Sequence, residues 1–244
     1  MNCIPFHLLI IAQLTRKDLL VKNMKRMIKT IDKEYGKAEA QKFDFISTSY
    51  VLPQEHALFQ EEFKRTGGIW IMKPVGKAQG KGIFLINKVS QISNWKKDPR
   101  LKGKPDEEGP EAYIVQRYIE NPYLIGGKKF DIRGYVLVTS YYPLVVYIHR
   151  NGFCRFSNSQ FTMNAKDISN MYIHATNVAI QKHAPGYDGD KGCKWLLRNL
   201  KSFLTTKHGA KRVDELFTEM EALVVRSLMS VQKVMINDKH CFEL

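Results

Sequence analysis

Between Trp70 and Ile86, two short apolar runs flank a basic, glycine-rich loop. The first run, Trp70-Ile71-Met72, ends in Lys73. Gly76, Gly80 and Gly82 punctuate the loop, and Ile83-Phe84-Leu85-Ile86 closes it. The pattern predicts strand, flexible loop, strand. Glycines let a backbone approach a ligand closely, and Lys73, Lys77 and Lys81 concentrate positive charge at the same place. Polyphosphate requires both features. The loop lacks the G-x-x-x-x-G-K-[ST] order of a P-loop and leads into a strand rather than a helix. On spacing alone, a β-hairpin with a solubilising turn explains the pattern equally well.

The 244 residues suffice for one large domain or two small ones. Lys and Arg number 38 against 24 Asp and Glu, a net charge of +14 that attracts nucleic acid, anionic membrane or acidic polypeptide. Neither an RNP, a zinc-finger nor a basic-zipper signature is present, which weighs against nucleic acid. Cys3, Cys154, Cys193 and Cys241 form no C-x-x-C pair, which argues against a zinc site or redox motif and for free thiols in a reducing compartment. No apolar run approaches the length of a membrane span. Phe6 to Ala12 resembles a short signal-peptide core but lacks a basic leader, and reads better as a core strand or an alternative start.

Residues 15–35 read as a helix capped by Thr15 with Asp18 three residues on. Leu19, Leu20, Met24, Met27, Ile28 and Ile31 form its apolar stripe. From Ile69 to Phe156 the pattern is β-rich, with runs at 69–73, 82–87, 112–119, 131–140 and 143–149. Asn151-Gly152 predicts a hairpin joining the last of these to Phe153–Phe156. Residues 98–111 read as a mobile surface loop. From Trp195 onward the periodicity is helical, over 195–206 and 210–235.

A second cluster with chemical potential is Gly126-Gly127-Lys128-Lys129-Phe130-Asp131-Ile132-Arg133. Lys129, Asp131 and Arg133 alternate, so a strand places them on one face. They can hold phosphate, metal, sugar or a carboxylate, or form a surface ion-pair ladder. Thr176-Asn177 after His174 suits a ligand contact, a turn or a helix cap. Arg155 can bind a carboxylate bidentately or lie on the surface. Lys194 means little alone. The seven histidines show no metal-ligand spacing, and no G-x-S-x-G is present.

Taken in order, the blocks at 70–85, 115–138, 152–158, 174–183, 192–195 and 237–244 resemble the tubulin-tyrosine-ligase-like family of ATP-grasp enzymes, in its polyglutamylase branch. The resemblance implies an α/β, ATP-grasp-like fold, incomplete here, with an atypical segment 1–14, a helix and partial central region over 15–68, and a truncated ligase region over 69–244. It implies ATP-dependent addition of glutamate to tubulin C-terminal tails through an acyl phosphate. Lys73, Gln79, Gly80 and Lys81 resemble the family's phosphate-binding residues, and Gln116, Arg117, Tyr118 and Ile119 its adenine-holding hinge. Lys129, Phe130 and Asp131 resemble nucleotide contacts, and Thr176 and Asn177 the pair near the terminal phosphate. Arg155 and Lys194 resemble residues that hold the incoming glutamate, and Arg133 the catalytic residue facing the acceptor tail.

The family usually carries leucine at the position of Ala175 and a bulkier residue at Gly134. It also continues past Phe242-Glu243 with the strands that supply its Mg²⁺ ligands. Those ligands are therefore expected beyond Leu244, and no metal ligand is assigned within these residues. The implied cofactors are ATP and Mg²⁺. The implied partners are tubulin or microtubules and free L-glutamate, without nucleic acid or membrane. The implied setting is cytoplasm and cytoskeleton, with cilium or basal body by resemblance. The expectation is an enzyme region impaired by truncation; the alternative is a non-catalytic tubulin-tail-binding or accessory subunit.

Overall fold

Strand β2 (Trp70–Pro74) buries Trp70, Met72 and Pro74 on one face and leaves Ile71 and Lys73 half-buried on the other. That period-2 division assigns a dry role to one face and a chemical one to its reverse. In the computed structural model, which describes residues 12–92, 112–188 and 193–235, β2 is central in a four-stranded antiparallel sheet. The order is β1 (Ser49–Leu52), β4 (Tyr113–Arg117), β2, β3 (Phe84–Ile86). The strand–loop–strand expectation over 70–86 is met. Residues 1–11, the loop at 98–111 and the block at 237–244 lie outside the described residues.

One face of this sheet packs a core of Leu52, Trp70, Met72, Ile86, Tyr113 and Val115 with Phe59 and Phe63 from helix α3 (His56–Thr66). The Phe59 and Trp70 rings meet edge to face with centroids 5.2 Å apart. The other face carries Ile69, Leu85 and Tyr118, with Ile71, Phe161, Met163 and Ile168 packed against them. No reading of the sequence had placed β1 or α3.

The chain divides into two compact units. The sheet just described belongs to the unit formed by Ile46–Asp131 and Arg155–Lys194. The other comprises the described residues of Met1–Phe45, Ile132–Cys154 and Trp195–Leu244. It holds α1 (Lys17–Tyr35), α2 (Lys37–Gln41), the antiparallel pair β6 (Val136–Tyr141) and β7 (Leu144–Ile148), α6 (Leu197–His208) and α7 (Ala210–Met235). Helix α1 buries Met24 and Ile31 of the expected stripe, together with Val21 and Asn23. Its start differs from expectation. Helical structure continues back before Lys17, and Arg16 rather than Thr15 sits at the cap position, with no side-chain cap bond. Asp18 instead accepts both Nε and Nη2 of Arg16. Gln232 Nε2 of α7 donates to the Tyr141 carbonyl at 2.7 Å, tying the long helix to the β6–β7 turn.

The Asn151-Gly152 hairpin is not formed. Strand β8 (Phe153–Phe156) lies between β5 (Phe130–Arg133) and β9 (Lys194–Leu196), not beside β7. The expected run at 131–140 likewise breaks into β5 and β6 around Gly134-Tyr135. A Cβ at Gly134 would meet nothing within 4 Å, so a bulkier side chain fits there. Gly152 has a different task from a turn. Its carbonyl accepts the Leu197 N–H at 2.9 Å, and an added Cβ would lie 2.4 Å from the Arg133 carbonyl oxygen. Because the obstacle is backbone, Gly152→Ala is expected to lower unfolding free energy by about 1–3 kcal/mol in urea titration. A change below about 0.5 kcal/mol would show that the strands separate without cost.

Candidate functional site

The antiparallel register sets Ile71 opposite Gln116 and Gln116 opposite Ser49, so three strands present one row on the face that carries Lys73. Lys73 Nζ donates to Gln116 Oε1 at 2.7 Å, and Gln116 Nε2 donates to Ser49 Oγ at 2.9 Å. Two residues past Gln116, Tyr118 comes to the same face and continues the ladder, its N–H donating to the Ile69 carbonyl at 3.0 Å.

Lys129, just before β5, reaches this face. Its Nζ donates to the Tyr118 hydroxyl at 2.9 Å and to the His174 carbonyl at 3.1 Å, and lies 4.4 Å from the Tyr118 ring centroid. Among the described residues, no acceptor meets its third N–H. The backbone of Lys129 is fixed by Ser157: the Ser157 N–H donates to the Lys129 carbonyl at 2.8 Å, and the Lys129 N–H to Ser157 Oγ at 3.2 Å. Burial pushes the Lys129 ammonium down to about 8. The charge of Lys73 lowers it further, and Asp131 opposes both. Two ammonium groups thus share one partly dry face.

Behind Lys129 stands a polar chain. The Tyr118 hydroxyl lies 3.0 Å from His174 Nδ1, and His174 Nε2 lies 3.2 Å from the Asp167 carbonyl. Burial holds the Tyr118 phenol above its ordinary range. Burial also lowers the His174 imidazole, with the Lys129 charge adding to it and the Asp167 carbonyl opposing. Both rings are almost fully enclosed.

The basic loop closes onto the segment after His174. Gln79 and Gly80 take positive φ of 60° and 81°. A Cβ on Gly80 would lie 2.6 Å from Ile180 Cδ1 and 3.3 Å from the Asn177 side chain, so a larger residue would have to displace the Ile180 tip as well as hold a backbone conformation that favours glycine. The Asn177 carbonyl accepts the Ile180 and Gln181 N–H groups, opening α5 (Val178–Gln181) after α4 (Met171–His174). Thr176 is nearly buried beside it. Lys77, Gln79 and Lys81 are exposed on the loop.

Asp131 pairs with Arg155 through two parallel bonds, one from Nε at 2.9 Å and one from Nη2. That pairing, ahead of the weaker Coulombic pull, holds the guanidinium above its ordinary value. Its Nη1 meets no acceptor among the described residues. Phe130 packs on Phe156 with centroids 5.4 Å apart, and Lys194 opens β9 with its side chain exposed. Lys73, Gln116, Tyr118 and Lys129 are therefore brought together, Gly80 is joined to Asn177, and Asp131 to Arg155.

Other residues go elsewhere. Arg117 alternates to the opposite sheet face, where its guanidinium bonds the Gly67 carbonyl and Glu120 and lies 5.7 Å from the Trp70 ring centroid. Ile119 is exposed. Arg133 is exposed and falls in the other compact unit, in its segment Ile132–Cys154. Sequence reasoning missed His174, Ser157 and Gln181. Gln181 is fully buried: its amide donates to the Tyr172 and Ala175 carbonyls, and its oxygen accepts the Asn158 N–H at 2.8 Å. Gln181 thereby fixes the backbone on both sides of Thr176-Asn177. Ala175 contributes its carbonyl to that lock.

Among the described residues, no group of three or more His, Cys, Asp or Glu could hold a metal ion, and the Asp131 oxygens are engaged by Arg155. The described residues therefore do not make up a Mg²⁺ site by themselves. No helix among the described residues is long and apolar enough to cross a membrane.

Comparison with known proteins bears on this arrangement. Residues 5–244 match the model of the tubulin-tyrosine ligase family. A Bos taurus protein described as probable tubulin polyglutamylase TTLL9 is 48% identical, the match covering 95% of this chain and 56% of that protein. The Caenorhabditis elegans probable tubulin polyglutamylase ttll-9 is 46% identical over 95% of the chain and 54% of its own length. A Tetrahymena thermophila probable alpha-tubulin polyglutamylase, Ttll1, is 45% identical over 95% of the chain and 58% of its own length. The chain spans about half the length of these curated relatives.

Proposed function

The chain belongs to the tubulin-tyrosine ligase family, with its α/β, ATP-grasp-like fold, and on that premise we propose that it is the nucleotide-binding part of an ATP-dependent tubulin–glutamate ligase. The observation that carries this reading is the convergence of Lys73 and Lys129 on one sheet face. Two cations that repel each other, one of them half-buried and lowered chiefly by that burial, invite a polyanion. In this reading Lys73 and Lys129 neutralise phosphate charge, and the backbone of Gln79–Lys81 covers the phosphates with Thr176 and Asn177 opposite. The Gln116–Ile119 strand end holds the base edge, flanked by Phe130 and Asp131.

ATP supplies the phosphoryl group that converts an acceptor side-chain carboxylate into an acyl phosphate. The amino nitrogen of free glutamate then bonds to the acyl carbon, the phosphate leaves and the nitrogen loses a proton. Asp131 grips two nitrogens of Arg155 and leaves the third for the carboxylate of that glutamate, with Lys194 as the companion cation. Arg133 is the residue we assign to the acidic tail. Mg²⁺, which this chemistry uses in the family, finds no carboxylate cluster among the described residues, and no step is routed through it. Tubulin as partner, a cytoskeletal setting and a ciliary one belong to the same reading.

The test is incorporation of labelled glutamate into microtubules with ATP and Mg²⁺, alongside titration with a fluorescent ATP analogue. Arg133→Ala is expected to lower kcat/KM for the tail about tenfold, the worth of one charge-assisted contact, with ATP affinity unchanged. Arg155→Ala is expected to raise KM for glutamate. Failure to bind ATP would overturn the reading. ATP binding without incorporation would favour an accessory subunit that binds tubulin tails.

A further inference from the structure

The polar chain behind Lys129 has a direction fixed by chemistry. A backbone carbonyl only accepts, so the Asp167 carbonyl requires the proton on His174 Nε2. A lysine ammonium only donates, so the Tyr118 oxygen must accept from Lys129. The Tyr118 proton then has one place to go, His174 Nδ1, which in this tautomer is an acceptor. The His174 carbonyl takes a second Lys129 proton. Two of the three ammonium protons are thus directed backwards by one histidine, and the third meets no acceptor among the described residues.

We propose that His174 is a positioning residue for Lys129, acting through the Tyr118 hydroxyl to aim the ammonium at a phosphate. The inference rests on the nucleotide reading above for what Lys129 meets, though not for how Lys129 is held. The groups around it come from every element packed there: Lys73 on β2, Tyr118 after β4, Asp131 on β5 and His174 on α4. The arrangement works only with His174 neutral. Protonated Nδ1 would leave Tyr118 facing two donors with no acceptor for its own proton. Lys129 in turn must stay charged, and it loses its proton as pH rises through about 8. Nucleotide affinity is therefore expected to fall on both sides. The acid limb lies below the ordinary histidine range because His174 is shifted down, chiefly by burial.

Two readouts test this on the whole chain. The first is the Lys129 titration followed by ¹³Cε-lysine NMR, assigned with Lys129→Arg. The second is affinity for a fluorescent ATP analogue against pH. His174→Leu is expected to lower the Lys129 midpoint by about half a unit or more and to weaken affinity at neutral pH about threefold to tenfold. Tyr118→Phe should do the same, and adding His174→Leu to it should change nothing further, because the first acts through the second. His174→Asn places an amide oxygen near Nδ1; it should keep the Lys129 titration and the basic limb while the acid limb disappears. Additive losses in the double variant would overturn the proposal, as would His174→Asn damaging Lys129 as much as His174→Leu. An unchanged Lys129 midpoint in folded His174→Leu overturns it even if ATP binds normally. A His174-dependent midpoint in a protein that does not bind ATP upholds the positioning and removes the nucleotide reading instead.

Discussion

Trp70→Ala is expected to lower the unfolding free energy by about 3–5 kcal/mol, a large share of a typical domain's stability. Trp70 is 1% exposed and contacts the Phe59 and Phe63 rings at centroid distances of 5.2 and 6.4 Å and the Tyr50 ring at 6.2 Å. Its indole N–H donates to the Gly67 carbonyl at 3.0 Å, so truncation also removes a partner from that turn. The space it leaves is walled by Leu52, Met72, Ile86, Tyr113 and Val115 of the sheet and by Phe59 and Phe63 of α3, a close-packed set that relaxes only in part. The loss reaches the site because Trp70 opens the strand that carries Lys73 and pairs with Arg117 of β4. Urea unfolding followed by far-UV circular dichroism measures it. Trp70→Phe, which keeps most of the ring contacts, should cost less than half as much. A loss below about 1 kcal/mol for Trp70→Ala would mean that the aromatic cluster does not pack as described.

Local signals in the sequence reach part of this structure. The alternation Trp70-Ile71-Met72-Lys73 decides both the strand and the face on which Lys73 emerges, because side-chain period in a strand leaves no other choice. The helices after Leu196 follow from 3.6-residue periodicity in the same way. Gly152 was marked as special by its neighbour Asn151, but the reason was out of reach. A close approach to the Arg133 carbonyl depends on a strand 19 residues away in the chain, whereas turn statistics see only neighbours.

The site divides along the same line. Lys73, Gln116, Tyr118 and Lys129 were named as residues, yet what joins them is sheet register and a lysine arriving from outside the sheet. Arg117 stood among them by adjacency, and strand alternation carries its guanidinium to the opposite face. His174 and Tyr118 are 56 residues apart, and no spacing rule links them. Gln181 resembles any helix glutamine in sequence. Only complete burial, with its amide spent on two carbonyls, reveals it as the clamp behind Thr176-Asn177. Pairwise polar chemistry across long separations is thus the part of the site that composition and periodicity leave unwritten.

Lys73→Met should separate the two lysines' roles. Removing one cation from the phosphate site is expected to weaken ATP-analogue binding roughly a hundredfold, about the upper worth of a charge-assisted hydrogen bond. The same change relieves Lys129. Burial is the larger cause of its lowered value and Lys73 the second, so the Lys129 midpoint should rise from about 8 only part of the way toward 10.5. The stability of the empty protein follows with a definite sign. Between about 8 and 10.5 the unfolded chain keeps a lysine proton that the folded chain has lost, so stability rises with pH across that window. In Lys73→Met the window narrows from its lower end, and the rise becomes smaller. ATP-analogue titrations at neutral and alkaline pH, with urea unfolding at the same values, read both effects. Unchanged affinity would remove Lys73 from the phosphate site. Lost affinity with an unmoved Lys129 midpoint would mean that the two ammonium groups do not share one field, and that the convergence on which the ligase reading rests is geometric only.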